Sequence, residues 1–307
     1  MYEHSVLKII LILLALAVYI VTVAFNAIAG SGLLKGIFLQ NVGNISNKYD
    51  TDFTPAGWTF MIWNVIFAWQ FLWLGYVLSL ICRRTDVGWF YLKPNVFPVS
   101  FYLVWMLNNV LNIGWLFLWD REHTIPALVF LGAIALTNYI VLFISYRAVF
   151  IHGDWLQRLR KSDLWLIRIF VHNGIAVYTT WTTIACLLNF AVVLTYNGGY
   201  SNSTSTTIAL AILTFEVLLW FCLENFVFDK YVRYTITVYP VVIVALSGAM
   251  NKSYNPASPG PNGIFIAVLL AVACTLFAAR LVLVVVKHCK RPLYGSVLFQ
   301  KTSLPMS

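Results

Sequence analysis

Apolar residues run along this chain in eight long stretches separated by short polar breaks. The stretches cover residues 7–29, 58–82, 96–119, 125–147, 166–195, 207–228, 234–249 and 263–286. A helix needs about 20 mostly apolar residues to cross the hydrocarbon core of a bilayer, within a range of about 17–25. Each stretch therefore predicts a spanning helix, and the chain reads as an all-α polytopic membrane bundle of about eight helices. The first stretch is longer than the apolar core of a signal peptide, about 7–15 residues. The seventh is short and is interrupted by Pro240.

The breaks have a chemical basis. Thr54-Pro55, and Thr124 with Pro126, offer a cap and a first-turn proline to the helices that follow. Asn197-Gly198-Gly199 ends the fifth helix, and the proline-rich run 255–262 separates the last two.

Composition removes the soluble alternative. The chain is 61% hydrophobic and only 10% charged, against roughly 45–50% and about 25% in soluble domains. The +9 net charge is not spread evenly. With the first residues placed in the cytoplasm, fifteen of the 20 Lys and Arg residues fall on the cytoplasmic side. Four fall on the other side (Lys35, Lys48, Arg121 and Lys252), and Arg280 stays inside the membrane. Short cytoplasmic loops are enriched in Lys and Arg, so both termini are expected in the cytoplasm. The basic excess is a topology signal, and no nucleic-acid partner is expected. Sequons at Asn44 and Asn202 lie on the non-cytoplasmic side as candidate glycosylation sites. They favour a plasma-membrane or endomembrane location.

Polar groups inside spans are costly and default to functional candidates. Here they are Gln70, Asn108, Asn138, His172, Glu216, Glu224 and Arg280. Glu216 has no cation at its level. Glu224 and Arg280 fall at one depth and are expected to pair. The Asn residues also read as interhelical glue. The outer segment Asp120-Arg121-Glu122-His123 reads as a solvated charged loop. No metal-ligand spacing, phosphate loop or nucleophile motif is present, so no catalytic residue, metal or required cofactor is expected.

Tryptophan is the unusual residue, with 12 copies. Thr54-Pro55-Ala56-Gly57-Trp58-Thr59-Phe60 followed by Trp63 opens the second span. Leu111-Asn112-Ile113-Gly114-Trp115 sits in the third. The fifth carries Trp181, then Ala185, then Leu188-Asn189. This pattern resembles the tryptophan-rich sensory protein/translocator protein (TspO-like) family, over roughly residues 5–196. Trp58 and Trp63 are five apart where that family usually has six.

The resemblance implies a five-helix membrane unit that binds tetrapyrroles, sterols or drug-like aromatic molecules. It also implies a pocket near Trp58, Trp63, Asn112, Trp115, Trp181 and Asn189, with the loop before Trp58 over its mouth. The expected organisation is a TspO-like unit over 1–196, three further helices over 197–287 and a cytoplasmic tail over 288–307. The expected function is a membrane receptor or carrier for a hydrophobic planar ligand, with a tetrapyrrole possible as ligand and a homo-oligomer possible as assembly. Two alternatives stay open. One is a transporter or channel for a polar or ionic solute, resting on Glu216, the Glu224/Arg280 pair and Pro240. The other is a non-catalytic scaffold or sensor acting through the inner loop 153–163.

Overall fold

The computed structural model describes residues 3–32 and 36–294. Lys35 and residues 295–307, which include Lys301 and most of the expected cytoplasmic tail, lie outside the described residues.

The protein is an all-α membrane bundle. Its long helices are α1 (Val6–Ser31), α3 (Ile62–Ser79), α4 (Val99–Asp120), α5 (Thr124–Leu159), α7 (Gly174–Tyr196), α8 (Asn202–Cys222), α10 (Val238–Ser253) and α11 (Pro261–Lys290). Short helices α2 (Val42–Lys48), α6 (Lys161–Leu166) and α9 (Asp229–Val232) lie at the ends. A 3-10 turn leads into α3. A π-helical segment joins α6 to α7, and another extends α8. A two-stranded antiparallel hairpin, Arg84–Thr85 with Gly88–Trp89, follows α3.

Helices α1, α4, α5, α7 and α3 pack in that order into a closed ring. Helices α8 and α10 pack on the outside of α7, and α11 packs on both. Helix α7 thus has neighbours on two sides, which explains why it is the most buried span. Amide side chains join the ring. Asn108 Nδ2 donates to Ile134 O, Thr137 Oγ1 and Asn138 Oδ1 across the α4–α5 contact. Gln70 Nε2 donates to Gly174 O at 2.9 Å. An amide in hydrocarbon has no water to bond, so each such tie fixes helix register.

Seven helices among the described residues are long and apolar enough to cross a membrane. Helix α10 is shorter, with 16 residues, or about 24 Å of rise. Lys252 at its end meets Asp50 at 2.6 Å. Just before its start, Ile236 N donates to Asn173 Oδ1 at 2.9 Å. Pro240 is not an interruption. It lies in the first turn of α10, where its missing N–H costs no helical bond.

Two other expectations change, and a third, the pairing of Glu224 with Arg280, holds. The segment 153–163 is not a loop. Helix α5 continues through it to Leu159, and its 36 residues rise about 54 Å, well past a hydrocarbon core of about 30 Å. Thr54 does not cap α3. Its hydroxyl accepts the Thr51 N–H at 2.9 Å, closing a turn in the loop. Glu224 and Arg280 meet at 3.3 Å, with side chains fully buried.

Candidate functional site

The residues before α3 form a cover over one end of the five-helix ring. Phe38 is buried and stacks on Phe117, with ring centroids 5.0 Å apart. Asn41 caps α2 by accepting the Gly43 N–H at 2.7 Å. Tyr196 donates to Asp50 O at 2.9 Å. At the far end, Asp52 bonds Asn202 and Asn262 at the starts of α8 and α11.

Asp120 and Glu122 hold this cover, so the 120–123 segment is more than a solvated loop. Asp120 is buried and accepts the backbone N–H groups of Leu39 and Gln40 at 2.8 and 2.9 Å. Glu122 accepts from Gln40 at 2.8 Å, Lys48 at 2.5 Å and Tyr49 at 2.9 Å. Its backbone is left-handed, with φ 60°, a conformation unfavourable for a residue with a Cβ by roughly 1–2 kcal/mol. The hydrogen bonds from Lys48, then Gln40 and Tyr49, hold its carboxyl down at about 2.

Beneath the cover lies a cavity of about 70 Å³. Its walls include Trp63, Trp115, Trp119, Trp181 and Asn189, and its roof includes Val42, Ser46, Tyr49 and Pro55. The aromatic rings brace one another. Trp63 and Trp181 meet edge to face at 6.3 Å, and Trp115 stacks on Trp119 at 6.1 Å. Trp115 Nε1, Trp181 Nε1 and Asn189 Oδ1 are buried without a hydrogen-bond partner. Two donors and one acceptor on residues that line one small cavity are thus unsatisfied, at a cost of about 1–3 kcal/mol each.

Four of the six ligand candidates therefore converge: Trp63, Trp115, Trp181 and Asn189. Asn112 lies about one turn below Trp115 and does not line the cavity. It accepts from Asn26 at 2.7 Å and donates to the Tyr178 hydroxyl at 3.3 Å. Trp58 is outside. It is half exposed, and its indole donates to Asn251 Oδ1 at 3.2 Å, because the 3-10 turn at Gly57–Met61 directs residues 58 and 63 to different surroundings. Trp119 and Tyr49 are additions. Trp119 could be found four residues after Trp115, one helical turn along the same face. Tyr49 carried no local signal.

The other polar candidates are dispersed. His172 Nε2 is 3.1 Å from Ser145 Oγ, and its ring meets Tyr146 edge to face. Arg280 donates to Asn225 Oδ1 and to the carbonyls of Val232 and Arg233, while Tyr239 donates to Glu224. Glu216 borders a second, larger cavity between the ring and the added helices. Asn44 is exposed on α2, whereas the Asn202 amide nitrogen is engaged by Asp52. Among the described residues no cluster of His, Cys, Asp and Glu could hold a metal ion.

A family model described as TSPO-like protein matches residues 10–286. Comparison with curated proteins and with solved structures found no match.

Proposed function

The chain belongs to the TSPO-like protein family, and on that premise we propose that it is a membrane receptor or carrier for a hydrophobic planar ligand. The ligand enters the tryptophan-lined cavity at the covered end of the ring. One observation carries the reading: Trp115, Trp181 and Asn189, which line one aromatic cavity, each hold a buried polar atom without a partner. A flat ligand with acceptor atoms on its edge, such as a tetrapyrrole or an oxygenated sterol, satisfies the donors while its faces stack on the rings. Trp63, Trp119 and Tyr49 supply further apolar wall, and Asn189 takes a ligand N–H or O–H.

At about 70 Å³ the closed cavity is below the roughly 300–1,000 Å³ of most small-molecule sites. Binding a whole macrocycle or sterol therefore requires the cover to lift, with Glu122 as its latch. In this reading residues 1–196 form the ligand-binding unit. Asn44 is the glycosylated position, and the basic face, carrying Arg83, Arg160 and Lys287, is cytoplasmic. The Glu224/Arg280 pair is a fixed tie between α8 and α11 rather than a solute path, since both partners are fully buried and held by further hydrogen bonds.

The test is tryptophan-fluorescence quenching of the purified full chain by protoporphyrin IX. Trp115→Phe and Trp181→Phe keep an aromatic ring at each position and remove the N–H groups. Each is expected to weaken half-saturation about tenfold, the scale of one hydrogen bond to a buried donor. Unchanged titrations in both variants sink the assignment.

A further inference from the structure

Between α5, α7, α8 and α10 lies a lateral cavity of about 830 Å³, within the range of small-molecule sites. It is separate from the covered cavity, and the two share no lining residue. Its walls are mainly apolar, with Leu142, Phe143, Ile184, Val217 and Val242 among them. It also contains one carboxyl, that of Glu216.

That carboxyl is out of place in an apolar chamber. Its Oε2 is buried with no partner, and none of the ion pairs among the described residues includes it. The neighbouring hydroxyls do not need it. Thr179, Thr180 and Thr183 donate to carbonyls one turn earlier on α7. Tyr139 pairs with Thr183 at 3.0 Å, and Tyr146 with Thr235 at 2.8 Å. A chamber serving only to hold an acyl chain has no use for a carboxyl within the membrane span, where it costs several kcal/mol. Two lining side chains carry a buried atom without a partner: the Trp220 indole N–H, a donor one turn along α8, and the Glu216 Oε2, an acceptor open to an incoming donor.

The one cation lining the chamber is Arg147. It lies eight residues beyond Tyr139 on α5, or about 12 Å along the axis, and is exposed at the rim. Arg147 repels a cationic group from the rim, and Glu216 attracts one further in. The charges therefore orient a ligand with its nitrogen deep and its apolar body toward the bilayer.

We propose that this chamber is a second ligand site, for a lipophilic amine whose nitrogen pairs with the Glu216 carboxyl. A hydrophobic acceptor-bearing ligand under the cover and an amine in the lateral chamber are different chemistries, and either site can exist without the other.

The full chain in phosphatidylcholine nanodiscs is treated with dicyclohexylcarbodiimide, which reaches carboxyls from the hydrocarbon. The Glu216 oxygen adds to the central carbon of the reagent, and the carboxyl proton goes to its nitrogen. The acyl group then migrates to nitrogen, leaving a stable N-acylurea that mass spectrometry of the residue-216 peptide detects. N,N-dimethyloctadecylamine, which cannot form an amide, is expected to protect Glu216 at least tenfold more effectively than octadecanol. Glu216→Gln removes the label, and Trp181→Phe leaves amine protection unchanged. Equal protection by amine and alcohol, or none by the amine, overturns the proposal. Labelling confined to other carboxyls also overturns it.

Discussion

Lys48 of α2 and Glu122 of the α4–α5 turn meet at 2.5 Å across 74 residues of chain. The pair ties the cover to the ring at a corner where both partners touch water, with side chains 55% and 24% exposed. Being exposed, it is a corner that can be released without exposing buried charge.

Releasing it has a predictable pH signature. The Glu122 carboxyl is held at about 2, below its ordinary value of 4.5, by the hydrogen bond from Lys48 and then those from Gln40 and Tyr49. A depressed carboxyl contributes stability above its unperturbed value, and that contribution is lost as pH falls toward the folded one. Amide exchange across residues 40–56, corrected for intrinsic rates, should be equal at pH 7 and pH 5 and should rise between about pH 4.5 and 2. Glu122→Gln should raise exchange at pH 7 by about fivefold, the scale of an exposed pair supported by neutral hydrogen bonds. Flat exchange in that variant would show that Asp120 alone holds the cover.

The Glu224–Arg280 pair should behave oppositely. Both side chains are fully buried, and Arg280 also bonds Asn225 and two carbonyls. Removing one partner leaves a buried charge uncompensated, at a cost of about 3–5 kcal/mol. Glu224→Gln and Arg280→Met should each lower unfolding stability in detergent by that amount. The double variant should recover most of it, because replacing both partners of a buried pair by neutral groups is often nearly neutral. A double variant as unstable as the sum of the singles would mean that Tyr239 and Asn225 depend on the pair for their own packing.

How far these features can be read from residues alone depends on the range of the interactions. The spans are legible because bilayer thickness imposes a length on each helix, and the α8–α11 ion pair because its partners sit at one depth. Trp63, Trp115, Trp181 and Asn189 are legible as a pattern of spacings in three spans. Trp58 is not, because the 3-10 turn before α3 changes the angular step between residues 58 and 63. The latch is illegible for another reason. Glu122 acts through Lys48, Gln40 and Tyr49, which α2 brings back over α4, and nothing local to Asp120-Arg121-Glu122-His123 announces that return. The Glu216 chamber falls between helices whose packing order does not follow from their hydropathy.

Gly248 of α10 should tolerate no side chain. Its carbonyl accepts the Ala56 N–H at 3.0 Å, and a Cβ there would run into the Thr59 side chain. Threonine is β-branched and restricted at χ1, and Thr59 is buried, so it cannot swing aside freely. Gly248→Ala should destabilise the full chain by about 1–3 kcal/mol, the usual cost of overpacking. Thr59→Ser with Gly248→Ala should restore part of the loss. Thermal unfolding in detergent measures both, and an unaffected Gly248→Ala midpoint would mean that α10 and the 3-10 turn can separate.

Helix α10 also decides where both ends of the chain lie. If its 16 residues cross the bilayer, the 255–260 turn shares a side with α2, and Cys289 lies on the opposite side. The crossing is supported at each end by Lys252 with Asp50 and by Asn173 with Ile236. A rise of about 24 Å is short of the hydrocarbon core of about 30 Å, and the non-helical residues just before α10 supply the remainder. They are sheltered by their hydrogen bonds to Asn173, as non-helical backbone at membrane depth must be. In sealed, oriented cells, a membrane-impermeant maleimide is therefore expected to reach Ser258→Cys in a Cys82→Ser background. Cys289, exposed at the end of α11, should react only after permeabilisation. Labelling of Cys289 but not of Ser258→Cys before permeabilisation would leave α10 on one side of the membrane and invert α11.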